Sequence, residues 1–300
     1  MGLRRSTAWS KTSPEPALRA GGAVFNVITK SGSNDWHGAR SITFATASST
    51  RNNLTQRVSR TTAASSSAAL WGAIRKDRAF FYAGFDQHFL TVPSIMQFGN
   101  GASSIVPQPT DYDYTDQALV MTAAQHLNAM GGVYPTTMDG DAGFGKLDFV
   151  LSHKHSAFVQ LSTSRFSGTN NVFFDPSSPM TSYAETDNGT ENVKTESLAA
   201  ALVSAWTNNL ATNLRAQFSR DVQQSTANSD QPLTKIYNLV AGFGRSSMLP
   251  RETREHKLHI ADTLSYQTSR VHWKFGGEFL QAGFITTIPE CSAASITSTT

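Results

Sequence analysis

KLHIADTLSYQTSRVHWKFGGEF, Lys257 to Phe279, carries the pattern that decides the fold. Leu258, Ile260, Leu264 and Tyr266 alternate with Lys257, His259, Thr263 and Ser265. After a turn at Gln267 to Arg270, Val271, Trp273, Phe275 and Phe279 alternate with His272, Lys274 and Glu278. Successive side chains of a strand point to opposite faces, so each run is a strand with one apolar and one polar face, and the two make a hairpin.

The same period extends outward from this hairpin. Leu210, Leu214, Ala216 and Phe218 share one face while Asn213, Arg215 and Gln217 share the other, and residues 197 to 206 are expected to pair with 210 to 220 across Thr207-Asn208-Asn209. Phe144 to Leu151 and Ser156 to Phe166 form a similar pair around His153-Lys154. Leu70 to Leu90 is an aromatic hairpin interrupted by the charged turn Arg75-Lys76-Asp77-Arg78. Val24 to Thr29, the turn Ser31-Gly32-Ser33-Asn34-Asp35 and Trp36 to Phe44 read as strand, turn, strand. Residues 45 to 69, rich in Ala, Ser, Thr and Asn, read as a long loop or a polar strand pair.

The connections divide the chain. Residues 1–20 are an irregular lead-in, and 91–140 is a long loop with Pro93, Pro107, Pro109 and Pro135. Inside it, Leu119, Ala123, Leu127 and Met130 recur at helical spacing, which predicts one short helix over Thr115 to Met130. Residues 167 to 194 and 221 to 253 are long polar excursions, and 286–300 is an irregular end.

Composition narrows the class. Charged residues are 16% of the 300, against about 25% in a typical soluble domain. Net charge is only +3, which argues against a nucleic-acid partner, since polyanion binding rests on clustered phosphate contacts. The lone Cys291 forms no internal disulfide and no thiolate metal cluster. No apolar window reaches the 18 or so residues of a membrane-crossing helix, which leaves the strand-built membrane class untouched. A strand of about ten residues rises roughly 33 Å, and a 45° tilt brings that to about 23 Å, near the apolar band of an outer-membrane barrel. A lipid-facing strand and a half-buried soluble strand share one periodicity, so a soluble or surface β-rich interaction protein, adhesin-like, stays open beside the barrel.

Candidate chemistry is thin. Asp111, Asp113 and Asp116 lack the central glycine and terminal carboxylate of a calcium loop, and read as a solvated loop with Thr115 or Asp116 capping the helix. Asp139-Gly140-Asp141 reads as a turn. The pairs His153/His155 and His256/His259 lack partner ligands at zinc spacing, and Gly242-Phe243-Gly244 lacks the context of a phosphate loop. Expected catalytic, cofactor and metal sites are none, and the protein is expected not to be an enzyme. The aromatics from Trp71 to Phe89, with Trp206, Tyr266, Trp273 and Phe275, are expected against lipid or in a core rather than stacked on bases.

The run from Gly21 to Gly38, GGAVFNVITKSGSNDWHG, closely resembles the plug-to-barrel junction of TonB-dependent outer-membrane receptors, specifically the Oar-like group that often starts with a carboxypeptidase-regulatory-like domain. Ile74 to Phe81, Phe144 to Asp148 and Trp273 to Phe279 continue the family pattern, whereas Ser65 to Gly72 stands where relatives are glycine-rich. The resemblance implies an all-β fold, a partial transmembrane antiparallel barrel of about 8–9 strands. It places the end of the plug and the junction at 21–35 and the first part of the barrel at 36–285. It also implies a longer parent that carries the signal sequence, the TonB-contacting box, most of the plug and the later strands. That parent would sit in the bacterial outer membrane among its lipids, take energy from the inner-membrane TonB complex and import an unknown small ligand. This stretch alone is expected to be inactive.

Overall fold

The computed structural model describes residues 31–49, 59–98, 104, 106, 117–175, 178, 180–236, 240–288 and 296–298. Period-two sequence becomes long strands: β1 (His37–Ser49), β2 (Ser59–Arg75), β3 (Ala79–Met96), β4 (Gly132–Ser152), β5 (His155–Thr169), β6 (Met180–Thr181), β7 (Gly189–Ala205), β8 (Leu210–Ala227), β9 (Thr234–Ile236), β10 (Val240–Phe243), β11 (Arg251–Gln267), β12 (His272–Thr287) and β13 (Ile296–Ser298). Among the described residues one α-helix, α1, spans Gln117–Met130. Its expected cap residues, Thr115 and Asp116, lie outside the described residues, as do the lead-in 1–20, Val24 to Thr29, Asp111, Asp113 and Cys291.

Nine strands hydrogen-bond in the order β1-β2-β3-β4-β5-β7-β8-β11-β12, all antiparallel, and β6 adds to the far end of β3. A smaller sheet holds β10, β9 and β13. The large sheet does not close: β1 and β12 are its edges. Four connections are short, at 76–78, 153–154, 206–209 and 268–271, and antiparallel pairing puts them all at one rim. The other rim carries the connections 97–131, 170–188 and 228–250.

Register sorts the two faces across the whole sheet. One row runs Leu70, Ala83, Gly145, Leu161, Leu198, Phe218, Leu258, and the next runs Trp71, Tyr82, Lys146, Gln160, Ala199, Gln217, His259. The first face is apolar and open, with Leu161, Leu198 and Phe218 about half exposed and Phe275 and Phe279 more so. An apolar patch continuous over several strands marks a face that meets lipid or another apolar surface. Toward the long-loop rim this face turns charged, through Glu196 and Arg220 in one row and Arg165, Lys194 and Arg254 in the next. Toward the short-turn rim it ends in Trp36, Trp206 and Trp273, all exposed, as an interfacial aromatic belt would. Asp262, opposite Leu214, is the one carboxylate set among the apolar rows between these limits.

Several sequence boundaries shift. The nine strands of the large sheet's main path run 13 to 21 residues where about ten were expected, because they continue past the apolar band into polar sequence. Of the segment 45–69, the described residues 45–49 and 59–69 belong to β1 and β2, which pair with each other. Of the expected loop 91–140, only 97–131 lies between strands: Pro93 sits in β3 directly opposite Pro135 in β4. Proline lacks a ladder donor, and here β2 pairs with β3 only as far as Thr91 while β5 meets β4 only from Thr137, so neither ring interrupts a third strand. The polar excursions likewise contract, to 170–188 and 228–250.

Candidate functional site

At the short-turn rim, residues 31–36 lie against β2, β3 and β4. Asn34 Nδ2 donates to Asp77 Oδ1 at 2.6 Å, and the Asp77 backbone N–H donates back to Asn34 Oδ1 at 2.9 Å. Asp77 holds φ at +60°, the left-handed conformation that Asp and Asn tolerate best after glycine. Trp36 Nε1 donates to the Ala73 carbonyl at 3.0 Å, and its ring meets Phe81 edge-on at 4.9 Å. Gly32 is squeezed between strands: a Cβ there would lie 2.6 Å from the Phe81 carbonyl oxygen and 2.7 Å from that of Gly72.

Lys146 completes this junction from the polar face. Its ammonium donates to Ser31 Oγ at 2.9 Å, pairs with Asp148 at 3.0 Å and lies 5.1 Å from the Phe158 ring centroid. Lys146 is buried, which an ammonium tolerates only with such partners. Around it Trp71 stacks on Tyr82, and Tyr82 meets Phe144 edge-on.

Above the junction the polar face carries polar side chains that pair between β7 and β8: Gln217 Nε2 donates to Ser197 Oγ at 3.2 Å and Thr195 Oγ1 to Asp221 Oδ2 at 2.6 Å. On β11 and β12, His259 and Glu278 approach to 3.4 Å. Such a wall suits water and polar solutes.

At the far rim three long connections interlock as a cap on the polar-face side. Met96, Phe98, Tyr134, Ala184 and Val240 form its buried core, with Leu127 of α1, Ile236 and Phe243 packed on it. Met96 and Tyr134 share the parity of the polar face, which sets the cap over that face. β6 passes β4 to reach β3, and the Ala184 N–H donates to the Gly242 carbonyl at 3.0 Å. Asn170, buried at φ +58°, is the keystone: its Nδ2 donates to the Pro135 carbonyl and to Glu185, and its Oδ1 accepts from Asn228. Asp187 is buried too, at 2% exposure, with Oδ1 unpartnered and Gly242 against Oδ2. Burial pushes its carboxyl up to about 7, against the opposing pull of Lys235.

The residues weighed for chemistry do not converge. Asp139 and Asp141 stand in β4 rather than in a turn, on the outward face. His256 and His259 lie within β11 on opposite faces, while His153 occupies a turn and His155 opens β5. Gly242-Phe243-Gly244 ends β10 and enters a bend. Among the described residues no three His, Cys, Asp or Glu side chains gather as a metal site. The junction partners and the cap core escaped sequence reasoning. Lys146 stood inside a quoted motif, but its burial depends on strands β4 and β5 coming together with Ser31.

These features define a fold class: a two-faced antiparallel sheet of long strands, open at both edges. Among solved structures, the chain is similar to the outer membrane transporter YddB from Escherichia coli, with a TM-score of 0.51 and 11% sequence identity, over 76% of this chain and 26% of that one. The chain thus spans about a quarter of that transporter's length. No protein-family model matches, and no curated protein matches.

Proposed function

We propose that this chain is a section of the wall of a TonB-dependent outer-membrane receptor, of the Oar-like group, that imports a small ligand. The observation that carries the reading is the register: one face is apolar for lipid between a tryptophan rim and charged rows, while the other is polar and faces the junction and the cap. In the parent, energy comes from the inner-membrane TonB complex, and substrate enters past the loop cap along the polar wall. The role is transport without catalysis, and no nucleic acid takes part. Nine strands with two free edges enclose no pore, so this stretch alone does not transport.

The test is to recover the full reading frame, express it with its own signal and follow fractionation and gel mobility. Outer-membrane localisation with heat-modifiable mobility is the expected result. A soluble, detergent-independent β protein would overturn the reading in favour of an adhesin-like interaction protein.

A further inference from the structure

We propose that residues 31–36 act as a mechanical clamp, which stops a pull applied from the N-terminal side at Ser31 and keeps it from peeling β1 off the sheet. The inference rests on the energy-coupled import reading, in which force is transmitted through the chain that precedes Ser31.

Without a clamp, such a pull would load His37 first. His37 begins an edge strand paired on one side only, so its cross-strand pairs would open one after another from Trp71 onward. The six residues ahead of His37 intercept that load at three places. Ser31 is held by Lys146 of β4, Asn34 by both side chain and backbone of Asp77 in the β2–β3 turn, and Trp36 by the Ala73 carbonyl of β2. Gly32 sits where any side chain would strike the backbone of β2 and β3, so the segment is seated between strands rather than laid over them. The tethers engage β2, β3 and β4, and a load shared among paired strands must break several bonds at once. The comparable short-turn contact between β8 and β11 joins one pair of residues only, Asn209 Nδ2 donating to the Gln267 carbonyl and the Gln267 N–H to the Asn209 carbonyl.

The reciprocal Asn34–Asp77 pair offers a test by exchange. Asn34→Ala removes the pair, and Asn34→Asp sets two carboxylates against each other. The double variant N34D/D77N restores both bonds, the side-chain bond with donor and acceptor swapped and the backbone N–H of residue 77 still donating to the side chain at 34, and asparagine accepts the left-handed backbone at 77. The experiment is single-molecule pulling from an N-terminal handle on the full chain in lipid bilayers. The wild type is expected to show a distinct force step before β1 is released. N34A and N34D should lose that step, N34D/D77N should regain it, and Asn209→Ala should leave it in place. Release of β1 at wild-type force in both N34A and N34D, or failure of N34D/D77N to regain the step, overturns the clamp. Failure of the import reading looks different: the force step persists while uptake by the parent shows no dependence on the inner-membrane energy source.

Discussion

Asn170 and Asp187 show how single polar residues hold the cap together. Asn170 satisfies groups from β4, the 170–188 connection and the 228–250 connection at once, in a left-handed backbone that alanine adopts poorly. Asn170→Ala should therefore cost about 1–3 kcal/mol in cap stability, read by hydrogen exchange of the loop amides, with the amides of β7 and β8 unmoved. Asp187 makes the cap sensitive to pH. Its carboxyl moves from 3.8 to about 7, so across that window the folded cap keeps a proton that the unfolded chain has released. Cap stability is thus greatest below the lower value, falls as pH rises through the window and levels off above about 7, by a few kcal/mol in all. Lys235 is the charged neighbour to hold constant. Asp187→Asn should flatten the profile, and a slope equal to the wild type's would contradict the assignment. Neither residue stood out in the sequence: each gains its role from segments far apart along the chain, which no local spacing announces.

At the scale of the element, what was legible depended on contrast between faces. β8, β11 and β12 alternate apolar and polar residues strongly, so their faces and hairpin turns could be read directly. β2 hides the same geometry because its upper half is Ala, Ser and Thr on both faces. Its place comes from its neighbours: Phe44 and Phe89 flank Ala64 in one row, and Arg40 and Phe85 flank Ala68 in another, small residues alternating with large. β4 hides it in another way, since Pro135 and Asp139-Gly140-Asp141 are turn formers that a long strand absorbs beyond the apolar rows. The face assignment predicts opposite outcomes for two neighbouring positions on β7. Leu202→Lys, on the apolar face beside Leu214, should cost about 2–4 kcal/mol in bilayer-folded protein. Ala199→Lys, on the polar face beside Gln160 and Gln217, should fall within about 0.5 kcal/mol of the wild type. Urea unfolding from vesicles measures both, and equal costs would mean that the two faces meet the same medium.

For the molecule as a whole, the architecture places three things in order along the strand axis: a clamped entry at the short-turn rim, a polar wall, and a cap over the same face at the other rim. The sequence carried the strand class and the resemblance at Gly21 to Gly38. It did not carry the cap, whose core joins Met96 and Tyr134 at the ends of β3 and β4 to Phe98, Ala184 and Val240 from three separate connections. The central claim is that the apolar face meets lipid and the polar face meets water. Spin labels placed one at a time from Leu210 to Val222 in the outer-membrane parent, with Cys291 replaced by Ser, test it most directly. Collision with oxygen should peak at Leu214, Ala216 and Phe218, and collision with a water-soluble nickel complex at Asn213, Arg215 and Gln217. At Arg220 the outward face should become accessible to the nickel complex as the strand leaves the apolar band. Water access on both faces along the whole strand, with no alternation, would contradict the account.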